Sequence, residues 1–215
     1  MFPVRTSILS RIFAAVIAVS AWVGILIELN TIMSNGATLL PAIWAIFGYF
    51  TIITNFLVAL LFTHVAIAGL RPGHAWAAGG LALSIMLVGI VFALLLQGLR
   101  ELSGAGALAN FLLHRLNPVL VPLFWLSLVP KNTLSFRAPF QWMLYPVLYF
   151  VYAAIRGTIE GRYAYPFLDA GNLGWTQVFL NAAAIAIGYL VVGAGMVWLD
   201  RRFVRPVLPR RWNGR

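Results

Sequence analysis

From Ile12 to Leu29 the chain reads IFAAVIAVSAWVGILIEL, an apolar run whose only charge is Glu28, next to its end. A helix of roughly 20 such residues crosses the ~30 Å hydrocarbon core of a bilayer. Arg5 and Arg11 precede the run, as they would in a secretory signal. The run is too long for a signal's apolar region, and no small-residue cleavage site follows closely. It is therefore the first of several membrane spans, placed at about 9–30.

Equivalent runs recur along the chain, separated by breakers. Ser34-Asn35-Gly36 marks a turn, and a second span is expected over about 41–68, opening on Pro41, which a first helical turn tolerates. Arg71-Pro72-Gly73 closes it, and a third follows over about 76–98. Gly104-Ala105-Gly106 precedes a fourth, about 108–129, which contains Pro118 and Pro122. A polar stretch from Lys131 to Arg137 leads to a fifth, about 139–156, with Pro146 inside it. A longer loop with Glu160, Arg162, Tyr163, Tyr165 and Asp169 leads to a sixth, about 174–199. The alternation of a membrane β-barrel is missing from these runs. The expected fold is all-α: one integral membrane domain over 1–215, a six-transmembrane-helix bundle.

Composition agrees. Of 215 residues, 62% are hydrophobic and 9% charged, and the mean hydropathy is +0.92. Soluble domains carry about 25% charged residues, so lipid is the natural solvent here. The formal charge of +10 would suggest nucleic acid in a soluble protein. Its placement points elsewhere: Arg201, Arg202, Arg205, Arg210, Arg211 and Arg215 crowd into a tail, 200–215, directly after the last span. Such a tail attracts anionic lipid headgroups on the cytoplasmic face, and no nucleic-acid partner is expected. Six spans put both termini on one side. That side collects eleven basic residues (the six tail arginines with Arg5, Arg11, Arg71, Lys131 and Arg137), against Arg100, Arg156 and Arg162 on the other. The positive-inside rule makes both termini cytoplasmic. The chain has no cysteine, and its three histidines, His64, His74 and His114, lack ligand spacing, so neither metal nor cofactor is expected.

Polar residues inside spans are costly and therefore informative. Thr51 lies ten residues beyond Pro41, ~15 Å along a continuous helix. Thr54 and Asn55 share its face at i+3 and i+4. His114 falls within the outer part of span four, beside Arg115 and Asn117. Glu28, Arg156, Tyr165 and Asp169 belong to the same outer half, whereas the inner half is nearly bare, with Thr63 and His64 near its edge. This distribution suggests a polar cavity open toward the outer leaflet. Threonines in membrane helices usually bond the carbonyl one turn back. A threonine becomes a nucleophile only beside a base, and His114 can supply one. Asn55 and Asn117 can donate to an oxyanion or join helices. Pro118 frees a carbonyl nearby. Glu28 needs a partner, for which Arg115 and Arg156 are candidates.

Gly48-Tyr-Phe-Thr-Ile-Ile-Thr-Asn55, followed by Phe-Leu-Val, resembles a signature of small bacterial polytopic membrane proteins. These are similar to the androgen-induced and androgen-dependent intramembrane hydrolases of animals. Leu113-His114 with Pro118, Tyr145-Pro146 through Arg156-Gly157, and Tyr163 through Asp169 agree in order and spacing. The resemblance implies hydrolysis of fatty acid esters of hydroxy fatty acids, with Thr51 as nucleophile and His114 as its histidine. It also implies residence in a bacterial inner membrane, among membrane lipids and a lipid ester substrate. Thr54 and Phe124 stand where relatives carry acids. A binding or transport protein using the same cavity is the alternative. A structural role would rest on small-residue faces such as Gly188, Gly193 and Gly195.

Overall fold

The computed structural model describes residues 8–99 and 102–202. The basic tail beyond Arg202, with Arg5 and Arg100, lies outside the described residues. Among those described there is no strand, and six helices are long and apolar enough to cross a membrane. The protein is an all-α integral membrane bundle.

Helix α1 covers Ile8–Ser34, extending four residues past the expected end of the span, and ends in the Asn35-Gly36 turn, where Gly36 has φ +97°. A short α2, Leu39–Ile46, leads to α3, Phe50–Ala68. Helix α4, His74–Val91, continues as a π-helix over Phe92–Leu96. Helix α5, Gly104–Phe111, passes through a second π-helical stretch, Leu112–Leu116, into α6, Asn117–Leu128. Helix α7 is Ala138–Glu160, unbroken by Pro146. A 3₁₀ turn, Pro166–Leu168, precedes α8, Ala170–Arg202, whose first turn is set off by Gly174 at φ +73°.

The expected continuous span over 41–68 is corrected by this structure. The helix stops at Ile46 and restarts at Phe50, so Thr51 stands in the first turn of α3 rather than at mid-helix. A break exposes carbonyls, which must find donors inside a membrane protein. Helix α7 provides them from one stripe. Arg156 Nη1 donates to the Trp44 carbonyl (2.8 Å), Tyr152 to Phe47 (3.2 Å) and Tyr149 to Gly48 (2.9 Å). Tyr145, further along the stripe, meets Thr54 Oγ1 at 2.8 Å. Gly48 is needed because a Cβ there would come within 2.7 Å of Arg156 Nη1.

Alternating helices bring both ends of the described chain to one end of the bundle. There Arg11 donates from Nε to the Ala66 carbonyl (2.9 Å) and from Nη2 to that of Ile67, closing the last turn of α3. Trp22 Nε1 donates to Thr63 Oγ1 at 3.1 Å, which gives Thr63 a packing role. The opposite, distal end gathers the α2–α3 break, the start of α5, the end of α7 and the 161–169 loop.

Candidate functional site

Thr51, Tyr165 and an apolar cavity form the site. The Thr51 N–H belongs to the first turn of α3, where no intrahelical acceptor exists. It donates to the Tyr165 hydroxyl (3.3 Å), which also lies 3.4 Å from Thr51 Oγ1. The Tyr165 ring stacks on Phe167 (5.1 Å, 7°) and meets Tyr49 and Tyr149 edge-on, so its position is fixed by packing. Tyr165 lies outside the spanning helices. Burial pushes its phenol above the ordinary value, against the opposing pull of the Thr51 bonds, so it stays a neutral hydroxyl.

Thr51 and Tyr165 both line a cavity of about 360 Å³ between α4, α7 and α8. This volume falls within the ~300–1,000 Å³ range of small-molecule sites. The rest of its wall is overwhelmingly apolar, from Leu87 and Val91 on α4 through Phe150 on α7 to Phe179 and Ala183 on α8. Val147 and Phe179, on that wall, are 44% and 56% exposed, so the opening faces sideways between α7 and α8. From Phe179 to Tyr189 the cavity follows ten residues of α8, ~15 Å, half the thickness of a bilayer core.

His114 sits elsewhere. It lies in the π-helical stretch, its Nδ1 is 3.3 Å from the Asn110 carbonyl, and its ring lies 4.5 Å from that of Phe92. It does not line the cavity and shares no hydrogen bond with Thr51. What joins the Thr51 backbone to that of Leu113, the neighbour of His114, is Asn55. Asn117 N–H bonds the Leu112 carbonyl, five residues back, and Pro118 has no N–H to offer Leu113. The freed Leu113 carbonyl accepts Asn55 Nδ2 at 3.3 Å, and the same amide donates to the Thr51 carbonyl at 2.9 Å. Asn117 Nδ2 completes the link by donating to Asn55 Oδ1 at 2.8 Å. Both asparagines are fully buried. They tie α3 to α6 and aim no donor at the cavity.

The remaining candidates separate by role. Thr54 is buried against Tyr145 and does not line the cavity. Arg156 pairs with Glu160 (2.8 Å), not with Glu28, and its guanidinium covers the Trp44 ring at 4.3 Å. Trp44 Nε1 reaches the same Glu160 oxygen at 2.7 Å. Glu28 is half-buried on α1. The Arg115 guanidinium lies 5.9 Å from the centre of the Phe92 ring. Asp169 caps α8: its Oδ1 accepts the Asn172 N–H (3.1 Å) and its Oδ2 the Asn172 amide (2.6 Å). Gly193 packs against Leu83 and Pro139, while Gly188 and Gly195 face open space.

Sequence reasoning missed Tyr145, Tyr149 and Tyr152. Their signal was present: with Arg156 they are spaced four, three and four apart, one face of a helix. The stripe makes a prediction. Arg156→Ala should lower stability by about 2 kcal/mol, because it leaves the Trp44 carbonyl without its side-chain donor and Glu160 without its ion-pair partner. Arg156→Lys should recover less than half, since one ammonium cannot reproduce the planar fork. Thermal unfolding in detergent measures both.

Compared with family models, curated proteins and solved structures, the chain matches none.

Proposed function

We propose that this protein is an intramembrane hydrolase of fatty-acyl esters, with Thr51 as nucleophile and His114 as base. The observation that carries the reading is the Thr51 hydroxyl on the wall of an acyl-sized cavity that opens laterally. A lipid entering between α7 and α8 lays its chain along α8 and its ester at Thr51. Thr51 Oγ1 attacks the ester carbonyl and forms an acyl-threonine, and its proton passes through His114 to the departing alcohol. Water then cleaves the acyl-threonine, releasing the carboxylic acid and restoring the hydroxyl. Tyr165, a neutral donor beside Thr51, suits the developing oxyanion. The imidazole, turned here to Asn110, must swing toward Thr51 for this chemistry.

The setting belongs to the same proposal: a bacterial inner membrane with both termini cytoplasmic. Lys131, Arg137, Arg201 and Arg202 lie at the end of the bundle that holds the start of α1 and the end of α8, where anionic headgroups would meet them.

A second reading is a lipid-binding or transport protein that uses the cavity without covalent chemistry. The separation of His114 from the cavity favours it. Purified protein in detergent, given a long-chain acyl ester, decides between them. The hydrolase releases free acid above a protein-free blank and takes a fluorophosphonate label at Thr51. Saturable lipid binding with neither result establishes the carrier.

A further inference from the structure

Charge decides what the cavity between α4, α7 and α8 can hold. Among the described residues, none of the side chains lining it is ionic. Its hydroxyls are those of Thr51, Tyr149, Tyr165 and Tyr189. Two are committed elsewhere: Tyr149 donates to the Gly48 carbonyl at 2.9 Å, and Tyr189 lies between Ser84 Oγ (3.0 Å) and the Trp142 carbonyl (3.4 Å). Thr51 and Tyr165 remain, both at the distal end. Arg156, the cation beyond Gly48, is held by Glu160, Tyr152 and the Trp44 carbonyl. The start of α3 carries the partial positive charge of a helix N-terminus, but its Thr51 N–H is engaged by the Tyr165 oxygen. A carboxylate or phosphate here would lose its water and gain no counter-charge from the described residues, a costly exchange in an apolar site. An ester or ketone oxygen needs only one donor, which Tyr165 can give.

We infer that the cavity selects a single long acyl chain ending in an uncharged carbonyl group at Thr51 and Tyr165, and rejects the same chain ending in a carboxylate. This rests on the reading of the cavity as a lipid site, and it gives that site a direction. Hydrolysis would turn a ligand that fits into an anion that does not, so the acid leaves for the headgroup layer instead of inhibiting the protein.

The experiment uses the full-length wild-type protein in detergent and two photoreactive probes, both with a diazirine at mid-chain. One is a long-chain methyl ketone, uncharged and resistant to hydrolysis. The other is the fatty acid of equal length. After irradiation, cross-linked peptides are mapped and quantified. The ketone should label the α7 and α8 segments around Phe150, Phe179 and Ala183. At neutral pH the acid should label them at least about tenfold less. The gap should close as pH falls through the acid's own pKa, near ~4 for a solvated carboxyl. Tyr165→Phe keeps the ring and should reduce ketone labelling several-fold. Equal labelling by the acid at neutral pH overturns the inference, as does ketone labelling confined to other segments. Selective labelling without ester turnover leaves the inference standing and removes the hydrolase, whereas turnover without selectivity does the reverse.

Discussion

Replacing Thr51 by alanine should reduce ester hydrolysis by at least about a thousandfold, the scale of losing a nucleophile outright. The fold should survive, because the bonds that organise this corner are made by the Thr51 backbone. Its N–H still reaches Tyr165 and its carbonyl still accepts Asn55. Thr51→Ser keeps a hydroxyl at the same place and should retain measurable turnover. Thr54→Ala is the matched control: it loses the 2.8 Å contact with Tyr145 but removes nothing from the cavity wall. It should cost about 1 kcal/mol of stability and leave the rate per folded molecule nearly unchanged. His114→Ala should cost about a hundredfold or more if the imidazole carries the proton. Free-acid release, normalised to folded protein, reads all four. Full activity in Thr51→Ala would sink the nucleophile assignment. A Thr51→Ala protein that binds the uncharged ketone as wild type does, from a wild type that never hydrolysed, would identify a carrier.

The two halves of that site were unequally legible in the sequence. Apolar runs of span length separated by Arg-Pro-Gly and Ser-Asn-Gly fix six helices, because nothing else satisfies their backbone in lipid. The break at Phe47–Tyr49 left no comparable trace. It contains no proline, and a lone glycine in a helical pattern is ordinarily tolerated. It exists because Tyr149, Tyr152 and Arg156, a hundred residues later, take up its carbonyls, which is tertiary information. Thr51 and Tyr165 were both visible as candidates, but their contact depends on how the 161–169 loop folds back over α3. His114 and Thr51 were expected to face one cavity from similar depths. The π-helical stretch before Pro118 changes the direction of His114 by an amount that spacing at 3.6 residues per turn does not anticipate.

The nearly bare inner half was likewise too simple, and Asp200 shows why. Asp200→Ala should lower stability by about 3 kcal/mol, a fall of roughly 6–12 °C in Tm for a chain of this length. Asp200 looked like the polar end of the last span, yet it is 0% exposed. Its Oδ2 accepts the N–H groups of Thr133 and Leu134, each at 2.9 Å, and its own carbonyl accepts that of Asn132 at 2.8 Å. Asn132 has φ +59°, so the turn curls three successive N–H groups around one residue, a backbone nest for an anion. The anion is the protein's own, and it fastens the α6–α7 connection to the end of α8. Alanine leaves two of those donors without an acceptor, in a place too enclosed for water to replace it. The carbonyl bond to Asn132 survives, so the turn should loosen rather than dissolve. Asp200→Asn keeps one acceptor oxygen and should lose about half as much. Thr133→Ala, which removes only an exposed hydroxyl 3.3 Å from the Pro130 carbonyl, should be close to neutral. Thermal unfolding of the three variants in one detergent tests the order. An Asp200→Ala midpoint equal to that of Thr133→Ala would mean that the carboxylate does not hold the loop. The same loosening should reach the cavity, since α8 forms one of its walls and Asp200 anchors the end of α8 farthest from Phe179.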